Sequence, residues 1–224
     1  MRGNSRSSSV AALVVVLFNS SLVEAAVTGD EIIRKMQESF GKHKTFSVHF
    51  EKDFYWALLD TKQESRNGRI FTRRTGDFRV ELEKGDLIVG SSAGIWSFSS
   101  QNRQVVVSDY DGEFRTPWEI LVDYADTYRP IAVAEVDLMG RPSYELTLLP
   151  AASTSQVARL KVWVDRKKWH LLKVERVEVN DNVMTYRLTG HKTNKKLDDS
   201  LFRYRVPEGL QVIDRREVVP TDER

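Results

Sequence analysis

The spacing of apolar residues changes once along the chain, and that change organises the rest. After Thr28, Ile32, Ile33, Met36 and Phe40 recur at helical spacing, with Arg34, Lys35, Gln37 and Glu38 on the other side. Thr28-Gly29-Asp30-Glu31 has the spacing of a capping box, in which hydroxyl and carboxylate each satisfy an orphan backbone N–H, and Gly41 is a natural stop. Beyond it side chains alternate with period two. Phe46, Val48 and Phe50 interleave with Ser47, His49 and Glu51, Phe78, Val80 and Leu82 with Arg79, Glu81 and Glu83, and Trp96 and Phe98 with Ser97 and Ser99. Asn67-Gly68, Gly76-Asp77, Gly85-Asp86, Ala93-Gly94, Asp111-Gly112 and Met139-Gly140 punctuate these runs as turns. Later runs at 131–136, 144–149, 160–164, 171–179, 185–188 and 201–206 continue the pattern, for about 10–11 short strands in a meander. Thr116-Pro117-Trp118-Glu119 interrupts it with a second cap-plus-Glu spacing, followed by Ile120, Leu121 and Tyr124. The expectation is a mainly β chain: an antiparallel sheet curled into a half-open barrel, with short amphipathic helices as its cover.

The segment before Thr28 reads differently. Arg2 and Arg6 precede an uninterrupted apolar run from Val10 to Phe18, and Val23-Glu24-Ala25 offers the small residues a signal peptidase reads. This predicts a cleavable leader at 1–25 and a single exported domain at 26–224. Nine apolar residues are about half of the roughly 20 needed to cross a bilayer. No cysteine follows the run, so lipid attachment at that point is not expected.

Composition narrows the function. The 224 residues contain no cysteine, which excludes disulfides, thiolate metal sites and a cysteine nucleophile. With 34 Lys+Arg against 32 Asp+Glu, the charge does not suit a nucleic-acid binder. Gly90-Ser91-Ser92-Ala93-Gly94 satisfies the G-x-S-x-G pattern of hydrolases, which would make Ser92 an esterase nucleophile. Ile95-Trp96-Ser97-Phe98 then alternates like a strand, so a hairpin loop is the better reading. His43, His49, His170 and His191 lack paired metal-ligand spacing, and no cofactor or metal is expected. Five Trp, seven Tyr and ten Phe still need something to pack against.

An ordered set of short motifs carries a family resemblance. Arg73 to Arg79, the hairpin from Ser91 to Trp96, Thr116-Pro117, Leu146 to Pro150 and Phe202 to Leu210 follow the order of bacterial outer-membrane lipoprotein carriers, and the whole domain resembles that LolA family. The resemblance implies an unclosed antiparallel β-barrel with a lid of α-helices. It further implies a monomeric, non-enzymatic periplasmic carrier. Such a carrier takes the acyl chains of lipoproteins from an inner-membrane ABC-type release complex to an outer-membrane receptor that is itself a lipoprotein. A related alternative is a periplasmic lipid-sensing regulator built on the same half-barrel.

On this reading the cavity would be lined by Phe78, Val80, Leu82, Trp96 and Phe98 from the sheet, with Ile33, Met36, Trp118 and Leu121 from the lid. Arg74 has the parity of Phe78 and Val80, so on an unbroken strand it would point to the apolar side and need lid carbonyls as partners. The resemblance gives Arg74 the role of a latch that holds the lid shut and is needed to pass cargo on. The chain departs from the family pattern at Thr75, where proline commonly follows the arginine, and at Lys52, where glutamine is common.

Overall fold

The computed structural model describes residues 27–110 and 128–216. The expected leader, the second helix with Trp118 and Leu121, and the end of the tail lie outside these. Among the described residues one α-helix, α1 (Gly29–Gly41), precedes thirteen strands. In chain order these are β1 (Thr45–Trp56), β2 (Thr61–Lys62), β3 (Arg66–Arg73), β4 (Phe78–Leu82), β5 (Leu87–Ser91), β6 (Gly94–Ser99) and β7 (Gln104–Ser108). Then come β8 (Tyr128–Asp137), β9 (Pro142–Pro150), β10 (Val157–Asp165), β11 (Leu171–Glu178), β12 (Val183–Thr193) and β13 (Gln211–Asp214).

All belong to one sheet, ordered β13-β7-β6-β5-β4-β3-β1-β12-β11-β10-β9-β8, with β2 attached to β1 alone. Among the described residues neither β13 nor β8 pairs onward, so the sheet is unclosed, as expected. Two meanders flank β1, which joins them by pairing with β3 on one side and β12 on the other. Between the pairs Ser47–Lys192 and His49–Thr189 the register shifts by one residue, a bulge on β12 where Gly190 takes φ +64°, and such a bulge bends a sheet.

The curl makes a concave inner face. Val48, Phe50, Ile70, Phe78, Val80, Leu146, Leu148, Leu160, Val162 and Leu188 point into it and form one buried cluster with Ile32 and Met36 of α1. At Gly90 the fit is absolute: a Cβ there would stand 1.8 Å from the Phe78 ring of its cross-strand partner.

Two expectations about the chain's end are corrected. No strand forms at 201–206; Asp198 caps a 3₁₀ turn by accepting from the Ser200 N–H at 2.8 Å, and the turn, Asp199–Phe202, buries Phe202. The last strand then pairs parallel with β7, so the sheet is not wholly antiparallel. Four residues of β13 and two of β2 also bring the strand count above the expected range, because such short pieces carry no readable alternation.

Candidate functional site

Helix α1 fills the concave face with its own side chains. The Thr28 hydroxyl accepts from the Glu31 N–H at 3.2 Å, so half of the capping box forms, while the Glu31 carboxylate turns to Lys35 Nζ at 2.8 Å. Ile32 and Met36 are 0% and 1% exposed, the depth of core residues. Met36 is buried where the sequence places it and Ile33 lies half-buried against the same cluster, whereas Ile32, the deepest, is not among the residues the sequence reading assigns to the cavity. Its position in the stripe was the signal.

Polar ties hold the helix at its rim. The Ser39 hydroxyl donates to the Lys168 carbonyl at 3.0 Å, and Lys35 Nζ lies 4.9 Å from the Trp169 ring centroid. Trp169 in turn stacks on Tyr144, with centroids 5.8 Å apart. At the other end Gly29 sits against Pro130 of β8.

The sheet residues divide between two faces. Phe78 and Val80 are buried in the inner cluster, and Leu82 is half-buried against it. Trp96 and Phe98 are not there, which corrects their expected place. The Ser92-Ala93 turn sets Gly94 opposite Ser91, so Trp96 faces Val89 and Phe98 faces Leu87. Val89 stands opposite Arg79, whose side chain leaves the sheet on the side away from Phe78 and Val80. A slip of one residue in register reverses every side chain, and turn geometry decides it.

The outer face has a separate apolar layer. Val89, Val105, Val107 and Phe202 are buried there, with Trp96 and Phe98 half-buried. The turn carrying Phe202 packs on β4 and β5. It is held by Arg79, which donates to the Leu201 carbonyl at 3.2 Å, and by Arg73, which pairs with Asp199 and lies 4.2 Å over the Phe202 ring.

Arg74 does not point to the apolar side. β3 stops at Arg73, and Thr75-Gly76 turn the chain, with Gly76 at φ +91°, leaving Arg74 exposed. Its guanidinium nevertheless donates to the carbonyl of Lys42, the residue that caps the C-terminus of α1, at 2.5 Å. A cation there meets unsatisfied carbonyls and the negative end of the helix dipole.

Below that contact lie three histidines. His170 and His191 stack with centroids 4.9 Å apart, and His43 is 6.3 Å from His170. Burial, and next the neighbouring His191 and His43, bring the His170 pKa down to about 4. Burial also lowers His191, although its ring nitrogen lies 2.8 Å from the Leu171 carbonyl. The adjoining cavity, lined in part by Phe40, Phe46, Ile70 and Leu188, measures about 20 Å³, room for one water and far too little for an acyl chain.

Ser92 is exposed at the tip of the β5–β6 hairpin, between antiparallel strands and not on a strand-to-helix elbow. Among the described residues no group of three His, Asp or Glu is placed to hold a metal.

Comparison with known proteins agrees with this geometry. The family model described as outer membrane lipoprotein carrier protein LolA matches residues 42–205. An outer-membrane lipoprotein carrier protein of Nitrosospira multiformis is 28% identical over 171 residues, covering 72% of this chain and 80% of that protein. One from Shewanella loihica is 23% identical over 174 residues, covering 77% and 69%. Among solved structures, an uncharacterised conserved protein of Thermus thermophilus superposes with a TM-score of 0.57 at 16% identity, covering 83% of this chain and 98% of that one, a likeness of fold.

Proposed function

Because the chain belongs to the LolA family of outer-membrane lipoprotein carrier proteins, we propose that it is a periplasmic carrier, residues 26–224 after removal of a leader, which encloses the acyl chains of lipoproteins and performs no catalysis. The observation that carries this reading is the plug: Ile32 and Met36 occupy an apolar concave face that the sheet alone would leave bare.

The energetics require a plug of this kind. Acyl chains with roughly 40 methylenes, at about 0.8 kcal/mol each, cost up to about 30 kcal/mol when exposed to water. A carrier must cover them and then release them. An empty carrier faces the same problem in reverse, since a bare concave face would attract other apolar surface. α1 solves it by lying in the cargo's place. Cargo enters as the helix swings out, and the stabilisation that α1 regains on closing offsets part of the cost of giving cargo up. Arg74 contributes to the closed side of that balance by holding the C-terminus of α1. The donor is an inner-membrane ABC-type release complex and the acceptor an outer-membrane lipoprotein receptor.

Release from spheroplasts tests this. Addition of the purified protein moves newly made lipoprotein from the membrane fraction into a soluble complex with it. Lipoprotein that stays with the membrane at every carrier concentration overturns the reading.

A further inference from the structure

We propose that the inner face also holds a site for the anionic group of an acyl-chain ligand, formed by Lys52, Arg176 and Arg66. The proposal rests on the carrier reading and extends it from neutral acyl chains to anionic amphiphiles.

Strand register places the three cations. Lys52 stands opposite Tyr186 on β12 and opposite Arg66 on β3. Arg176 stands opposite Met184 on β12 and Leu160 on β10. Phe50, two residues before Lys52, belongs to the inner cluster with Tyr186 and Leu160, so Lys52 and Arg176 leave their strands toward the concave side.

These cations differ from those on the outer face. There Lys161 pairs with Glu145 at 2.8 Å, Lys173 with Glu175 at 3.2 Å, Arg79 with Glu81 at 2.8 Å and Arg187 with Asp53 at 2.6 Å. Lys52 is half-buried, and among the described residues no carboxylate lies within 4.0 Å of it; its Nζ lies 5.7 Å from the Tyr186 ring. Arg176 meets Glu178 at 3.1 Å through one terminal nitrogen, but its Nε is buried and has no hydrogen-bond partner among the described residues. Asp86 reaches Arg66 only at 4.0 Å.

An unpartnered buried donor and an unpaired half-buried ammonium are costly. Burial, then the positive charges of Arg66 and Arg176, push the Lys52 pKa below its ordinary value, and a negative group beside it relieves both effects. A carboxylate or phosphate can accept from Lys52 Nζ and Arg176 Nε while the attached chain runs along Phe50 and Leu188. The ligand is therefore an amphiphile with an anionic oxygen group at the head of its acyl chain, whether a fatty acid or a lipid phosphate.

Competition against a neutral fluorescent probe, N-phenyl-1-naphthylamine, separates the cases at equal chain length. Laurate, dodecyl phosphate and dodecanol are titrated into the wild-type protein and into Lys52→Met. We expect one or both anions to displace the probe from wild type at concentrations about tenfold below dodecanol, and this preference to fall below about twofold in Lys52→Met. Laurate alone showing it identifies a carboxylate, and dodecyl phosphate alone identifies a phosphate. Equal displacement by all three, or a preference that survives Lys52→Met, overturns the anion site and leaves the carrier reading standing. Failure of all three to compete overturns both. Probe binding shows that the variant is folded, and Lys52→Gln, which keeps a polar side chain, repeats the measurement if Lys52→Met does not bind the probe.

Discussion

The Arg74 guanidinium donates to the backbone carbonyl of Lys42 at 2.5 Å, tying the turn after β3 to the C-terminus of α1. On the proposed carrier reading this bond is made with the helix closed and lost when it swings out, so it would stabilise the empty carrier and not the loaded one. A hydrogen bond from a charged donor contributes about 1.5 kcal/mol, less where solvent competes.

Arg74→Leu is therefore expected to load normally and to hold its lipoprotein, passing it to the receptor about tenfold more slowly, as read by the fraction transferred over time. Arg74→Lys keeps a donor and should recover part of the rate. Transfer by Arg74→Leu at the wild-type rate would remove the latch role.

The two faces of the sheet predict opposite outcomes for two aromatic truncations. Phe78→Ala removes inner surface and should weaken uptake of a neutral apolar probe as well as lowering stability by about 3 kcal/mol or more. Trp96→Ala, on the outer face, should leave probe affinity within about twofold of wild type while the melting temperature falls. Probe titration and thermal unfolding of both variants check this, and lost probe binding by a folded Trp96→Ala would place that side chain with the cargo.

How much of this was legible in the sequence follows from the same residues. Alternation in β4 showed that Phe78 and Val80 share a buried face, and Thr28 announced the start of α1, because both signals are local. Trp96 was misplaced because alternation reports that two side chains share a face but not which one; the Ser92-Ala93 turn fixes that. Arg74 looked inward only while β3 was taken to continue through it, and Gly76 ends that continuity. The parallel pairing of β13 with β7 joins segments about a hundred residues apart, which no local pattern reports. Lys52 continues the parity of Val48 and Phe50 and is the one cation in that series, so its place on the inner face is readable from alternation alone.

The stacked histidines predict loss of stability in mild acid. Burial lowers the pKa of His170 from 6.5 to about 4, so between those values the unfolded chain binds a proton that the folded chain refuses. Stability should therefore fall by about 1–2 kcal/mol as pH drops from 7 to 4.5. In urea unfolding, His170→Phe should flatten that part of the profile, and an unchanged slope would remove the histidines as its cause.

Asp53 acts in a lower window. Burial alone would raise its pKa, but hydrogen bonds from Ser65, Arg187 and Lys62 bring it down to about 2. Its stabilisation is complete above the ordinary value of 3.8 and is lost as pH falls toward 2. Asp53→Asn should cost about 2 kcal/mol at pH 7 and almost nothing at pH 2.

Whether the concave face under α1 carries acyl chains attached to protein can be read by native mass spectrometry of the protein purified without detergent from periplasm. A population bound to one intact lipoprotein is expected, its mass including the acyl chains, with a larger bound share for Arg74→Leu. If wild type and Arg74→Leu both emerge free of acylated polypeptide, from cells whose lipoproteins are normally processed, the protein is not a lipoprotein carrier.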